Sequence, residues 1–286
     1  MLAPTLISTL IAGVFTTLCT PAFAASESTK LVIQAIEARD CATAVKELNI
    51  ALVGATPDAL ALGGVMFEQG LCLKPNRERA ARLYVKAVDA GAPSARARLA
   101  GLYASPASGP DKGAAMWWSA HAELSMPAAC LVDTNTRSNA EQFAQKLSSW
   151  PVSLLDACVH VTGVLAALDS EFVVKSSAQG RTTVSIDFRP ASGVLEVRSS
   201  QSSLALVDNS PRAAANSNAG NLFANNSVSQ SATPEQMLAL RAQEERQALI
   251  KRVETVAKDA LARYPRPTGM DTEWRIQLSV EGPRDH

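Results

Sequence analysis

Residues 57–67, PDALALGGVMF, and residues 93–103, PSARARLAGLY, contain the pattern that decides the fold of the first half of the chain. Proline opens both segments, small residues recur at the same positions, and an aromatic residue, Phe67 or Tyr103, closes each one. Small residues on one helical face let two helices approach closely, and an aromatic side chain one turn later fills the space between them. The two segments therefore predict equivalent helices of an internal repeat.

A second helical segment follows each of these helices. Residues 77–90 carry apolar side chains at helical spacing and precede Gly91, a residue type that commonly ends helices. The counterpart after Tyr103 has its matching positions at Ala114, Trp117, Trp118, His121 and Ala122. The predicted unit is helix, loop, helix, and its repetition predicts an all-α solenoid in the first half of the chain.

The motifs Gly64-x-x-Phe67-x-x-Gly70 and Ala80-x-x-Leu83-Tyr84-x-x-Ala87-Val88-x-x-Gly91 resemble Sel-1-like repeats, which are relatives of tetratricopeptide repeats. The resemblance implies a helical-repeat domain over residues 25–169, with segments 31–53 and 138–168 as its terminal units. It also implies a set of residues that pack the repeats together: Gly64, Phe67, Leu83, Tyr84, Ala87, Gly91 and Tyr103. Such repeats resemble adaptors that hold proteins or peptides in a concave groove.

The N-terminus has the features of an export signal. Residues 5–18 are apolar or small and uncharged, and Ala22, Phe23 and Ala24 follow in the A-x-A pattern of a cleavage site. We therefore predict a signal peptide over residues 1–24 and a periplasmic or secreted protein of a Gram-negative-type envelope. An apolar stretch extended to Ala24 is nearly long enough to cross a membrane, so an uncleaved anchor is the alternative, and membrane association is expected only in that case.

The cysteines agree with export. Four of the five lie in the predicted mature chain: Cys41, Cys72, Cys130 and Cys158. An even number in an oxidising compartment predicts two disulfides, and the sequence alone leaves three pairings open. Secreted members of the Sel-1-like family carry cysteines that join the two helices of a hairpin, and this resemblance implies the pair Cys41–Cys72 across helices at 40–53 and 58–69. The predicted second disulfide joins Cys130 and Cys158.

Charge and histidine placement argue against several partner classes. The chain has 27 basic and 27 acidic residues, so it lacks both the electrostatic footprint of a nucleic-acid-binding protein and a polybasic patch for anionic lipid. His121, His160 and His286 are scattered, and no Cys or His neighbours stand at metal-ligand spacing. We expect no metal, no cofactor and no nucleic-acid partner. The expected partners are proteins or peptides of the cell envelope.

The second half alternates apolar and polar residues. Val184, Ile186 and Phe188 predict one face of a half-buried strand, residues 190–193 predict a turn, and residues 194–198 predict a returning strand. This pattern is typical of an antiparallel hairpin.

A long helix and a last strand follow this hairpin. Residues 208–233, rich in Asn, Ser and Ala, predict a disordered insertion because they offer almost nothing to bury. Residues 235–264 carry an apolar stripe at helical spacing, and residues 274–280 alternate as a strand. We therefore predict a small α+β domain over residues 170–286, in the order strand, strand, helix, strand.

This order of elements, together with the glycine, serine and proline residues between them, resembles the C-terminal domain of TonB. The matching residues are Gly180, Val184, Ile186, Phe188, Gly193, Ser199, Ser200 and the segment Tyr264-Pro265-x-Pro267. An unrelated small α+β module is the alternative. The resemblance implies that an extended peptide from an envelope partner adds to a sheet edge by β-augmentation. The final strand is the predicted edge, with Trp274, Ile276 and Leu278 as partner-binding residues.

These features predict a binding protein rather than an enzyme, because the chain has no S-x-x-K, G-x-S-x-G or H-E-x-x-H motif. The predicted function is a periplasmic or secreted interaction scaffold, in which a repeat adaptor is joined to a partner-binding C-terminal module. Trp117 and Trp118 point about 100° apart on one helix, so one of them is a candidate partner anchor. The alternatives are a TonB-type energy transducer, which would need an uncleaved anchor, and a cell-wall or β-lactam hydrolase of the repeat family.

Overall fold

The computed structural model of the protein describes residues 27–132, 140–176, 184–199, 234–271 and 273–283. Within these residues the chain is mostly helical and contains a small antiparallel sheet of four strands. The predicted helix-rich first half and mixed second half are confirmed at this level. The predicted signal peptide and the predicted insertion at 208–233 lie outside the described residues.

The helices are α1 (Glu27–Glu37), α2 (Cys41–Val53), α3 (Pro57–Gln69), α4 (Arg77–Asp89), α5 (Ala95–Ala104), α6 (Lys112–His121), α7 (Ala140–Leu147), α8 (Val152–Glu171) and α9 (Pro234–Arg263). The strands are β1 (Phe172–Ser176), β2 (Val184–Arg189), β3 (Val194–Ser199) and β4 (Ile276–Pro283).

Polar side chains fix the start of several helices. The side-chain oxygens of four N-cap residues accept backbone N–H groups three positions later, at 2.9 to 3.4 Å: Asp40, Thr56, Asn76 and Asp111. Each cap satisfies one donor that the first helical turn would otherwise leave without a partner. Pro57 takes the first position of α3, where its missing N–H has no cost.

The end of α4 depends on Gly91. Its φ is 102°, in the left-handed region. The N–H of Gly91 donates to the carbonyl of Val88 at 3.0 Å, and that of Ala92 donates to the carbonyl of Ala87 at 2.8 Å. These two bonds form a Schellman motif. A Cβ added at Gly91 would meet no atom within 4 Å, so this residue serves the backbone conformation rather than the packing role expected from the sequence.

Consecutive helices pack in pairs, α1 with α2, α3 with α4, and α5 with α6. At Gly64 of α3 an added Cβ would lie 2.4 Å from a ring carbon of Tyr84 in α4, so only glycine permits this approach. Tyr84 and Ala87 are fully buried and Phe67 is 8% exposed. Leu83 and Tyr103 are partly buried against the same hydrophobic cluster.

Each of the two predicted terminal segments includes parts of two helices. Segment 31–53 covers the greater part of α1 and all of α2, which are separated by Arg39 at a φ of 58°. Segment 138–168 covers α7 and the greater part of α8, which are separated before Pro151 because proline disfavours a helical residue in front of it. The predicted helices 40–53 and 58–69 correspond to α2 and α3, but α2 packs mainly against α1 rather than against α3.

The sheet has the strand order β1-β4-β2-β3, and each neighbouring pair is antiparallel. The predicted β2–β3 hairpin is confirmed, with Gly193 at a φ of 67° in its turn. In β4, Val280 pairs with Val174 on one side and Val184 on the other. The prediction that the final strand is a free edge is therefore wrong. The unpredicted strand β1 covers it, and the edges among the described strands are β1 and β3.

α8 is the central helix of the main core. Glu171 ends α8 and the buried Phe172 begins β1, with no loop between them. One hydrophobic cluster contains buried residues of α5, α6, α8 and α9 together with the inner face of the sheet. Among the described helices, α8 is the one whose length and composition would also suit a membrane span, and most of it is buried inside the protein. The two halves of the described chain therefore share a continuous core.

Candidate functional site: a cleft between the helical hairpins and α9

Tyr264 follows α9 directly, and its contacts hold the end of that helix against the first half of the chain. Its hydroxyl donates a hydrogen bond to the carbonyl oxygen of Gly101 in α5, at 3.0 Å. Its ring covers Gly163 of α8, where an added Cβ would lie 2.2 Å from a ring carbon. Burial, reinforced by the charge of Glu68, raises the pKa of Tyr264 to about 12. A neutral phenol therefore bridges three helices beside a surface cleft.

Two adjoining cavities form this cleft, which we call the α9 cleft. Each has a volume of about 560 Å³. The first lies between α5, the end of α8 and one face of α9. The second lies between the end of α3, the loop after it, α5 and Tyr264. Gln69 and Arg263 line both cavities. The cavities therefore adjoin, and one ligand can occupy the two of them at once.

The walls of the α9 cleft differ in chemistry. The wall from α9 presents polar and charged side chains at helical spacing, including Lys251, Arg252, Thr255, Asp259 and Arg263. The second cavity adds an apolar wall made of Leu71, Pro75, Leu102 and Ala107. This combination suits a ligand that has both charged and apolar groups.

Glu171, the last residue of α8, joins two walls of the cleft. Its carboxylate accepts a hydrogen bond from Arg252 of α9 at 3.2 Å and lies 3.9 Å from a guanidinium nitrogen of Arg98 in α5. The Arg98 side chain is 12% exposed, so its charge is partly shielded from solvent. One carboxylate therefore lies between basic side chains of α5 and α9 at this point.

Positive charge exceeds negative charge in the first cavity. Four basic side chains, Arg98, Lys251, Arg252 and Arg263, face two carboxylates, Glu171 and Asp259, which leaves a formal excess of two positive charges. Lys251 and Arg263 are exposed, and neither forms an ion pair within 4.0 Å with a described carboxylate. The cleft is therefore locally basic although the whole chain is neutral.

Glu68 connects the α3–α4 pair to the cleft. It lines the second cavity and accepts a hydrogen bond from the hydroxyl of Tyr84 at 2.6 Å. Burial, reinforced by the charge of Glu68, raises the pKa of Tyr84 well above its ordinary value. The tyrosine therefore stays a neutral donor, and it fixes the carboxylate at the cleft wall.

The tryptophans singled out in α6 lie outside the α9 cleft. The ring of Trp117 packs 4.2 Å from that of His121 and meets Phe143 edge-on at 5.3 Å. Trp118 packs against two hydrophobic clusters. Both side chains are half-buried, and their contacts place them in the packing of α6 against its neighbours.

The predicted partner-binding residues of the final strand lie in the core. Ile276 and Leu278 are 6% and 1% exposed, and they pair with Phe188 and Ile186 of β2. Trp274 precedes β4 and packs against the same cluster. Their prediction as contacts of a free edge is wrong, because β4 is paired on both sides and its apolar face is buried.

Two disulfides join Cys41 to Cys72 and Cys130 to Cys158, with Cα separations of 4.8 and 5.5 Å. These are the two predicted pairs, although the sequence alone left three pairings open. The first ties the start of α2 to the loop after α3 and so connects two helix pairs. The second ties the chain before α7 to α8. Two disulfides agree with an oxidising compartment.

The ionisable groups of the sheet are held by salt bridges. On its outer face, Asp187 accepts hydrogen bonds from Arg275 at 2.8 to 3.2 Å and from Arg189 at 3.4 Å. The Arg275 hydrogen bonds, with the charges of both arginines, hold the pKa of Asp187 below its ordinary value although burial opposes them. A carboxylate neutralised in this way is a weak base. Within the described ranges, no group of three or more His, Cys, Asp or Glu side chains could hold a metal ion.

Comparisons of the chain with protein-family models, with curated proteins and with solved structures find no match.

The sequence did not predict the α9 cleft. Basic and acidic side chains are mixed along α9, among them Lys251, Arg252, Asp259 and Arg263, and such mixing is typical of a solvated helix face. The opposite wall comes from α3, α5 and α8, which the sequence does not place beside α9. The sequence analysis did single out Tyr264, as part of the Tyr-Pro-x-Pro segment, but it did not place this residue beside a cleft.

Proposed function

We propose that the protein is a periplasmic or secreted interaction scaffold that binds a protein or peptide partner in the α9 cleft. The observation that carries the proposal is the pair of adjoining cavities, about 560 Å³ each, where four helices meet at the surface. Clefts at the boundary between packed units, with apolar walls and a few directed polar groups, are the usual sites of ligand recognition.

The walls of this cleft are preorganised. Tyr264 holds the end of α9 against α5 and α8, and Glu171 bridges Arg98 and Arg252. The Cys41–Cys72 disulfide restrains the loop that carries part of the apolar wall. Restraint of the backbone before a ligand binds lowers the conformational entropy lost on binding, which favours affinity.

The proposal also assigns a family relation to each half of the chain. We propose that the helix pairs are Sel-1-like repeats, which the close Gly64–Tyr84 contact and the turn at Gly91 support. We also propose a relation of the second half to the TonB C-terminal domain, which the β2–β3 hairpin, α9 and β4 support. In that case β-augmentation would use one of the outer strands, β1 or β3, because β4 is internal.

Site-specific photo-cross-linking tests the proposed function. Gln69 is exposed and lines both cavities, so a benzoylphenylalanine at this position should capture the partner in intact envelopes. The matched control is the same group at Lys258, an exposed position of α9 outside both cavities. The captured protein is then purified and its binding to the unmodified chain is measured by calorimetry.

We expect a cross-linked species with Gln69 and none with Lys258. Equal capture at the two positions would contradict a specific cleft. Turnover of a labelled penicillin or of muropeptides by the purified chain, abolished by a substitution in the cleft, would replace the interaction scaffold with a hydrolase.

A further inference from the structure

We infer that the ligand of the α9 cleft is an extended acidic peptide segment, with two carboxylates that contact Lys251 and Arg263. This inference rests on the proposed function, because it names the chemistry of the partner that the same cleft would hold.

The charges of the cleft select an anionic ligand. Glu171 is shared between Arg98 and Arg252, so a single carboxylate serves two guanidinium groups. Lys251 and Arg263 add two more positive charges, and the other carboxylate lining the first cavity is Asp259. A concave site with an excess of one sign raises the local concentration of ligands of the opposite sign. Carboxylates that enter the cleft would neutralise this excess.

The spacing of these cations sets the spacing of the ligand's carboxylates. Lys251 and Arg263 are twelve positions apart on α9, which corresponds to a rise of about 18 Å. An extended peptide covers this distance in about five or six residues. Asp259 lies between the two cations and would repel a third carboxylate. The preferred segment therefore has acidic residues near its ends and uncharged residues between them.

The apolar wall distinguishes a peptide from other anions. Leu71, Pro75 and Leu102 line the cavity that shares Arg263 with the charged part of the cleft. Apolar side chains of a peptide could pack there while a neighbouring carboxylate contacts Arg263. A single small anion would leave this wall unused, and nucleic-acid binding generally relies on many phosphate contacts rather than two surplus charges.

Fluorescence anisotropy with the disulfide-bonded chain from residue 25 onwards tests the inference. The probe is a fluorescein-labelled dodecapeptide of serine, alanine and leucine with two glutamates about five residues apart. One comparison peptide has glutamine in place of both glutamates, and another has the same two glutamates side by side. Labelled dodecathymidylate serves as a non-peptide anion.

We expect the spaced acidic peptide to bind about tenfold more tightly than the glutamine peptide and more tightly than the peptide with adjacent glutamates. Lys251→Glu and Arg263→Glu should each weaken its binding by about tenfold, and salt should weaken it further. Lys258→Glu makes the same charge change on α9 outside the cleft and should leave binding unchanged. All three positions are exposed, and circular dichroism melts verify that the variants fold.

Equal binding of the acidic and glutamine peptides, or equal losses from Lys251→Glu and Lys258→Glu, would overturn the inference. Tighter binding of dodecathymidylate would replace the peptide with a nucleic acid. If Gln69 cross-links a partner while the acidic peptide does not bind, the ligand chemistry is wrong and the proposed function stands. If both experiments are negative, neither stands.

Discussion

The ring of Tyr264 lies so close to the backbone of Gly163 that a methyl group on Gly163 would stand 2.2 Å from a ring carbon. Gly163 lies in α8 and Tyr264 follows α9, so this contact joins the two halves of the chain. Glycine is required at this position because of space rather than backbone conformation. The contact sets the distance between α8 and the end of α9 and therefore the shape of the α9 cleft.

Gly163→Ala should destabilise the protein. The added methyl group must displace the buried Tyr264 ring, and overpacking of a core costs about 1 to 3 kcal/mol. The gain in helix propensity, about 1 kcal/mol, offsets only part of this cost. Denaturant unfolding followed by circular dichroism should show a lower free energy of unfolding.

Gly113→Ala in α6 is the matched control. An added Cβ at Gly113 would lie 3.6 Å from its nearest neighbours, an ordinary contact. This variant should be as stable as the unmodified protein or slightly more stable. A similar increase in the free energy of unfolding of both variants would show that Tyr264 does not pack against Gly163.

His160 of α8 should make stability depend on pH. Its side chain is 5% exposed, and neither ring nitrogen has a hydrogen-bond partner within the described part of the chain. Burial, assisted by the charge of Arg266, lowers the pKa of His160, whereas the nearby backbone of Tyr264 and Pro265 opposes the shift. The folded protein therefore resists protonation of this imidazole.

The unfolded imidazole takes up its proton near its ordinary pKa of about 6.5, so below this pH the unfolded state binds more protons. The contribution of His160 to stability is complete above this pH and is lost as the pH falls towards the lower folded pKa, by at most about 1.4 kcal/mol per pH unit. His160→Leu removes the titrating group. Urea unfolding between pH 7.5 and about 5 should show a smaller loss of stability for the variant, and identical pH profiles would contradict the prediction.

The two disulfides should differ in their rate of reduction. Cys41 is exposed, whereas Cys130 and Cys158 are 2% and 0% exposed. Thiol exchange requires access to a sulfur atom, so the Cys41–Cys72 disulfide should open first. Each closes a loop of about 30 residues and should stabilise the fold by about 3 to 4 kcal/mol on the chain-entropy model.

Timed reduction, alkylation and non-reducing peptide mapping measure this order. Free thiols before any reductant is added, or a Cys72–Cys130 peptide, would reject the pairing.

Phe67→Ala should cost about 3 to 5 kcal/mol, because it truncates an aromatic side chain in the interior of the helical half. Phe67 is 8% exposed, and the guanidinium of Arg79 lies 4.4 Å from its ring centroid. Phe67→Leu retains an apolar side chain and should lose less stability. Melting curves compare the two variants. Loss of partner capture without any change in melting temperature would instead make Phe67 a binding residue.

Local chemistry determined a large part of this fold from the sequence alone. The Thr56-Pro57 start of α3, the Gly91 turn after α4 and the Gly193 turn between β2 and β3 all act within a few residues. Their effects follow from caps, left-handed backbone and side-chain periodicity, which sequence patterns record directly. The α3–α4 and α5–α6 pairs, the β2–β3 hairpin and α9 were therefore predictable.

Only the tertiary structure decided the arrangement of the sheet and the position of the α9 cleft. Phe172, Val173 and Val174 favour a strand, but they follow α8 without a turn residue, and their partner β4 lies more than 100 positions later. The bond from Tyr264 to Gly101 spans 163 positions. Pairing over such distances depends on which surfaces the whole chain buries together, and no local pattern states which partner a strand or a helix face will meet.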